Sequence, residues 1–197
     1  MSILATIVRL VLLNGPPATG KSTLAARYAH EHPLTLCLDI DVVRSMLGDW
    51  ASQPDEAGLL ARRLSIAMGR SALEAGHDVV VPQFLARADF IVQLAELAAE
   101  IGAAFVEVAL TATDDDVLAW FSARSADPTT SSHLDAAELL ARTGGVPELR
   151  RMLARWHDFM ASRPGVATIP ARAAYVDRSL ADLEAVLAAE LPAHRPR

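Results

Sequence analysis

The sequence predicts an α/β fold in three layers: a mostly parallel five-stranded sheet between two layers of helices, with a helical lid. Three observations predict it. Short apolar runs alternate with longer amphipathic segments along the whole chain. The runs are almost continuously apolar, as strands buried on both faces of a parallel sheet are. A glycine-rich turn joins the first run directly to the first helical segment, as in a βαβ unit. The 197 residues suit one domain, 1–197, with no internal repeat and no interdomain linker.

The elements follow in order. Residues 6–13, TIVRLVLL, read as the first strand and 21–32 as a helix ended by His32-Pro33, because the residue before a proline is driven out of helical backbone. LTLCLDID, 34–41, reads as a second strand ending in aspartates, and 42–50 as a short helix stopped near Gly48. Residues 53–76 form a long amphipathic helix, capped near Asp55 and closed by Gly76. A third strand is expected at 77–84, a helix at 86–102 and a fourth strand at 103–112. The helix at 113–124 takes Thr113 as its cap, with acids in its first turn. The polar stretch 125–135, which carries Pro128, reads as a break and is followed by helices at 136–145 and 147–163. A fifth strand at 165–170, a closing helix at 179–191 and a frayed tail at 192–197 complete the chain.

Composition excludes several classes. Hydrophobic residues make up 52% and charged residues 21%, so the chain folds rather than staying disordered. A net charge of −6 argues against a protein that lives on nucleic-acid backbone. Cys37 is the single cysteine; alone it makes neither an internal disulfide nor a zinc site, and it reads as a small buried hydrophobe in a reduced, cytoplasmic setting. Arg9 interrupts the apolar N-terminus, which runs straight into the glycine turn, so a signal peptide is not expected. No run of about 18 apolar residues suggests a membrane span.

The turn carries the chemistry. Gly15, Pro16, Pro17, Ala18, Thr19, Gly20, Lys21 and Ser22 fit the pattern G-x-x-x-x-G-K-[ST], between a strand and a helix, with Thr23 completing the set. Glycines let the backbone approach phosphates, successive N–H groups form an anion nest, and the helix start adds its positive dipole end. Lys21 is placed for the β- and γ-phosphates and Ser22 for Mg²⁺. The expected cofactors are ATP and Mg²⁺. Asp39 and Asp41, alternating along a strand end, would share one face, with Arg44 one helical turn beyond Asp41. An acid there can take the proton of an attacking hydroxyl, and Arg44 can grip an anionic group on the acceptor.

The loop together with LDIDVVR resembles the small P-loop phosphotransferases: chloramphenicol phosphotransferase, shikimate and gluconate kinases, and the kinase domain of polynucleotide kinase. The resemblance implies the P-loop NTPase fold. It implies that Asp41 is the general base or binds the acceptor hydroxyl. The Asp41-x-x-Arg44 spacing resembles polynucleotide kinase, whose arginine binds the acceptor's phosphate. The Asp39-x-Asp41 form resembles shikimate kinase, which would place Asp39 near Mg²⁺.

Two features depart from the pattern. The third strand ends in Pro82-Gln83, where many P-loop ATPases carry an acid; this disfavours a hydrolytic motor and suits a transferase. Gln83 and Arg87 are then candidates for the acceptor pocket. In the resembling kinases an arginine on a mobile segment after the fourth strand covers the transferring phosphate. Arg124 is the candidate, in a lid at about 124–145, but its usual second arginine is absent from the preceding turn, where Trp120 and Phe121 stand. Arg142 and Arg151 are unranked substitutes. His133 reads as a solvated loop residue, and Trp156 and His157 as core. By analogy of fold, the nucleotide base belongs near 170–176. The expectation is an ATP- and Mg²⁺-dependent phosphotransferase acting on a hydroxyl of a small molecule. A polynucleotide or nucleotide kinase, or a non-catalytic ATP switch that engages a protein partner, stands as the alternative.

Overall fold

A computed structural model describes residues 7–172 and 175–190. Its centre is a five-stranded parallel sheet of β1 (Arg9–Asn14), β2 (Leu36–Cys37), β3 (Val79–Gln83), β4 (Ala104–Thr111) and β5 (Ala167–Pro170), in the order β2-β3-β1-β4-β5. The connections are α1 (Lys21–Glu31), α2 (Ile40–Ser45), α3 (Pro54–Glu74), α4 (Asp89–Ile101), α5 (Asp114–Ala126), α6 (Ser131–Thr143) and α7 (Gly145–Ala161), with α8 (Val176–Ala189) last.

The apolar first strand is apolar because it sits mid-sheet: Leu10 to Leu13 are completely buried. Alternation sorts them by face. Leu10 and Leu12 pack with Val79, Val81, Leu73 and Leu94 under α3 and α4. Val11 and Leu13 pack with Val80, Leu24 of α1 and Leu183 of α8. A third, smaller cluster of Val117, Leu140, Leu149 and Leu153 lies among α5, α6 and α7. Pro82 fits inside β3 because β2 pairs only as far as Val80, so its missing N–H faces no ladder.

Several boundaries differ from the sequence expectation. The second strand is two residues long, not eight. Leu38 N–H makes one more bond to Val80 O (2.8 Å), and then Asp39 caps a helix. Asp39 and Asp41 are therefore the cap and second residue of α2, not alternating strand residues. Cys37 lies on this edge strand and is exposed rather than buried. The expected break at 125–135 shrinks to 127–130. Thr130 Oγ1 accepts from His133 N–H (3.3 Å), so the Ser-Ser-His stretch is a helix start, not a loop. The fourth helix begins at Asp89 rather than 86, leaving Arg87 in the preceding loop, and the last begins at Val176 rather than 179. Trp156 is core as expected, but His157 is exposed and lies 2.7 Å from Asp114. Residue 6 of the expected first strand, residue 191 of the closing helix and the tail 192–197 lie outside the described residues.

Candidate active site

The glycine turn lies at the carboxyl end of the central strand, where open parallel sheets bind ligands. Gly15 is required by close approach: a Cβ there would sit 2.7 Å from the Leu110 carbonyl of β4. Gly20, with φ of 85°, is the N-cap of α1 and offers no capping side chain. The first bond back to it comes from Leu24 N–H (2.9 Å). The amides of Lys21, Ser22 and Thr23 consequently have no intrahelical partner, as a helix start leaves them. Ala18 holds a left-handed backbone, φ 63°, without being glycine. Thr19 Oγ1 and Lys21 Nζ both donate to the Pro16 carbonyl, at 2.8 and 2.7 Å, folding Lys21 back over the turn. This is a cradle of backbone donors with a lysine across it.

Asp39 connects the cradle to α2. Its Oδ2 accepts from Ser22 Oγ (2.7 Å) and its Oδ1 from Asp41 N–H (3.0 Å). Ile40 and Val43 are buried and anchor the helix, which turns Asp41 and Arg44 toward each other, 3.1 Å apart. The Arg44 guanidinium also lies over the Trp50 ring at 4.5 Å. Burial raises the Asp41 proton affinity above that of an ordinary carboxylate, Asp39 and Asp135 add to this, and Arg44 and Lys21 oppose it. Burial and the Arg124 charge lower Lys21 to about 7, against the pull of Asp41 and Asp39. Burial lowers Arg124 as well, with Asp41 opposing.

The fold thus brings Lys21, Ser22, Asp39, Asp41, Arg44 and Arg124 to one place. Arg142 and Arg151 are elsewhere: each is exposed and paired on the outer faces of α6 and α7, with Glu138 and Glu148. Gln83 ends β3 opposite Asn14 in the ladder, beside the turn. Arg87 is exposed and makes no described contact with this group. The expected base end at 170–176 includes residues 173 and 174, which lie outside the described residues.

Sequence reasoning missed three participants. His133, expected in a solvated loop, is in α6 beside Arg124, where burial and that charge lower its proton affinity. Asp135 on the same helix is near enough to raise Asp41. Asn14 is completely buried just before Gly15; its Oδ1 accepts from Leu85 N–H (3.0 Å) and Trp156 Nε1–H (3.3 Å), and its Nδ2 donates to Leu85 O (3.1 Å) and Glu107 Oε1 (3.3 Å). A cavity of about 420 Å³ lies on the other side of Trp156, walled by Thr111, Met160 and Thr168 among others, and none of Lys21, Ser22, Asp39, Asp41, Arg44 and Arg124 lines it.

Comparison with known proteins agrees with the fold. A family profile described as AAA domain matches residues 10–148, and the chain belongs to that family. Its fold is that of the P-loop kinases. The structure named APE1195 superposes with a TM-score of 0.63 at 17% identity, covering 94% of this chain and 98% of that one. A tunicamycin resistance protein from Deinococcus radiodurans gives 0.58 at 15% identity, over 96% and 99%. A gluconokinase from Sinorhizobium meliloti gives 0.57 at 17% identity, over 93% of each chain. No curated protein matches the sequence significantly. Among the described residues no helix is long and apolar enough to cross a membrane.

Proposed function

We propose that this protein is an ATP- and Mg²⁺-dependent phosphotransferase that moves the γ-phosphoryl group to a hydroxyl of a small-molecule acceptor. The observation that carries the reading is Asp41: a carboxylate of raised proton affinity, facing Arg44 and close to Lys21 and Arg124 at the mouth of the phosphate cradle. A hydrolase would place its acid to activate water at the end of β3, where Gln83 stands.

The residues fit a magnesium ion. Ser22 Oγ and Asp39 Oδ2 are hard oxygen donors 2.7 Å apart. Among the described residues no three His, Cys, Asp or Glu side chains gather into a cage. That suits a cation which keeps waters and phosphate oxygens as most of its ligands. When bound, the ion supplies positive charge to the β- and γ-oxygens. The cradle amides and Lys21 hold the polyphosphate. Asp41 accepts the proton of the acceptor hydroxyl as its oxygen bonds to the γ-phosphorus and the bond to the ADP oxygen breaks. Arg124 faces the phosphoryl oxygens. Transfer then rests on positioning and fixed charge. Gln83 and Arg87 are proposed for the acceptor side, and the protein for the cytoplasm.

The Asp41–Arg44 pair supports a second reading, in which the hydroxyl neighbours a phosphate, as in a nucleotide or an oligonucleotide end. The net charge of −6 disfavours long nucleic acid. The test is ADP release with Mg²⁺ and ATP, with and without a pooled set of hydroxyl acceptors. Acceptor-stimulated release that Asp41→Asn abolishes, while ATP still binds, is the expected result. Tight ATP binding with no stimulation by any acceptor, and no effect of Asp41→Asn, would make the protein a nucleotide-binding switch instead.

A further inference from the structure

Arg124 differs from the other cations of the site in how it is held. Lys21 is tied to Pro16 O, and Arg44 to Asp41. Among the described residues no acid is within ion-pair reach of Arg124, and its Nε, like that of Arg44, is buried without a partner. Its described close contact is aromatic: the guanidinium carbon lies over the Phe121 ring, 5.0 Å from the centroid. The two residues are three apart on α5, the spacing that makes helix neighbours. A separation of up to about 6 Å is within range for attraction between a cation and a ring face.

Phe121 is itself anchored. It packs against the cluster of Val117, Leu140, Leu149 and Leu153, which draws on α5, α6 and α7. Of the other guanidiniums described over rings, Arg44 on Trp50 and Arg163 on Phe159 also have a carboxylate, Asp41 or Glu107, whereas Arg62 on Phe90 and Arg178 on Tyr175 have no described ion pair; what sets Arg124 apart from these two is its place beside Lys21 and Asp41. A carboxylate would occupy N–H donors and neutralise the charge. A ring face attracts the cation and leaves its in-plane donors available.

We infer that Phe121 is the positioning residue for Arg124: fixed by that cluster, its ring holds the guanidinium toward Lys21 and Asp41 with its donors open to the transferring phosphoryl group. This rests on the phosphotransferase reading. It also explains why a phenylalanine stands where a second arginine was expected. The ring orients the first arginine instead of adding charge.

The test compares affinity for MgADP alone and for MgADP with fluoroaluminate, a mimic of the phosphoryl group in transit, by calorimetry. Phe121→Leu is expected to weaken the fluoroaluminate complex about tenfold, the loss of one partly desolvated cation–ring contact. MgADP affinity should hold, Phe121→Tyr should bind both as the native protein does, and Arg124→Ala should lose at least as much as Phe121→Leu. Phe121→Met replaces Phe121→Leu if the latter melts much earlier than the native protein. If Arg124→Ala weakens the complex and Phe121→Leu does not, the positioning role is overturned while the phosphotransferase reading stands. Equal weakening of MgADP and of the fluoroaluminate complex by Phe121→Leu also overturns it, because a merely structural role would do that. Failure of the native protein to bind MgADP overturns the underlying reading and this inference together.

Discussion

At the scale of single residues, the candidate site sets opposing charges against one another in a partly dry space. Lys21 is lowered to about 7 because burial and Arg124 outweigh Asp39 and Asp41. A bound polyphosphate brings several negative charges to that ammonium and raises its proton affinity. Nucleotide affinity should therefore be greatest below about pH 7, where Lys21 is already charged, and fall as pH rises above it. Between about 7 and the higher value of the complex, binding takes up a proton. Calorimetry at pH 8 in two buffers of different ionisation enthalpy should show uptake approaching one proton per nucleotide. Zero uptake would mean that Lys21 is already charged in the free protein or is not at the phosphates. Ala18 offers a second test. Its left-handed backbone, φ 63°, costs an alanine what it does not cost a glycine. Ala18→Gly should raise stability by about 1 kcal/mol or less, read from the denaturant midpoint. A drop in stability would show that the methyl group packs usefully.

At the scale of elements, what the sequence told and what it withheld have a common cause. Signals that act within one turn were legible. Thr113 caps α5 by accepting from Asp116 N–H at 3.2 Å, and Gly102 closes α4 in a left-handed conformation. The phosphate cradle was legible because its parts are contiguous. The end of β2 was not, because it depends on where β3 stops offering a partner and on the capping side chain of Asp39. His133 and Asp135 were missed because a short polar stretch that caps a helix looks like a loop. Asn14 ended an apolar run without a signal, since its partners Leu85, Glu107 and Trp156 are 71, 93 and 142 residues away. It fixes β1 to the loop after β3 and to α7 directly behind Gly15. Asn14→Ala should lower stability by about 2–3 kcal/mol, because it strands the buried N–H groups of Leu85 and Trp156. An unchanged melting temperature would show that other groups satisfy those donors.

At the scale of the whole molecule, the candidate site draws on the sheet and on the helices α5 to α7. The sheet places the cradle and α2, which carries Asp39, Asp41 and Arg44. Helices α5 to α7 have their own cluster, and α5 carries Arg124. Arg124→Ala should lower kcat by about 10²–10³-fold with little change in nucleotide affinity, as removing one charge that acts mainly in the transition state does. A loss confined to KM would put Arg124 in ground-state binding instead. In the proposed reaction the phosphoryl group goes to a hydroxyl and not to water. The most direct measurement is the fate of label from γ-labelled ATP incubated with the protein, Mg²⁺ and a pool of hydroxyl acceptors. Label is expected in an organic phosphate ester, and none there with Asp41→Asn. Label recovered only as inorganic phosphate, or left entirely on ATP, would contradict it.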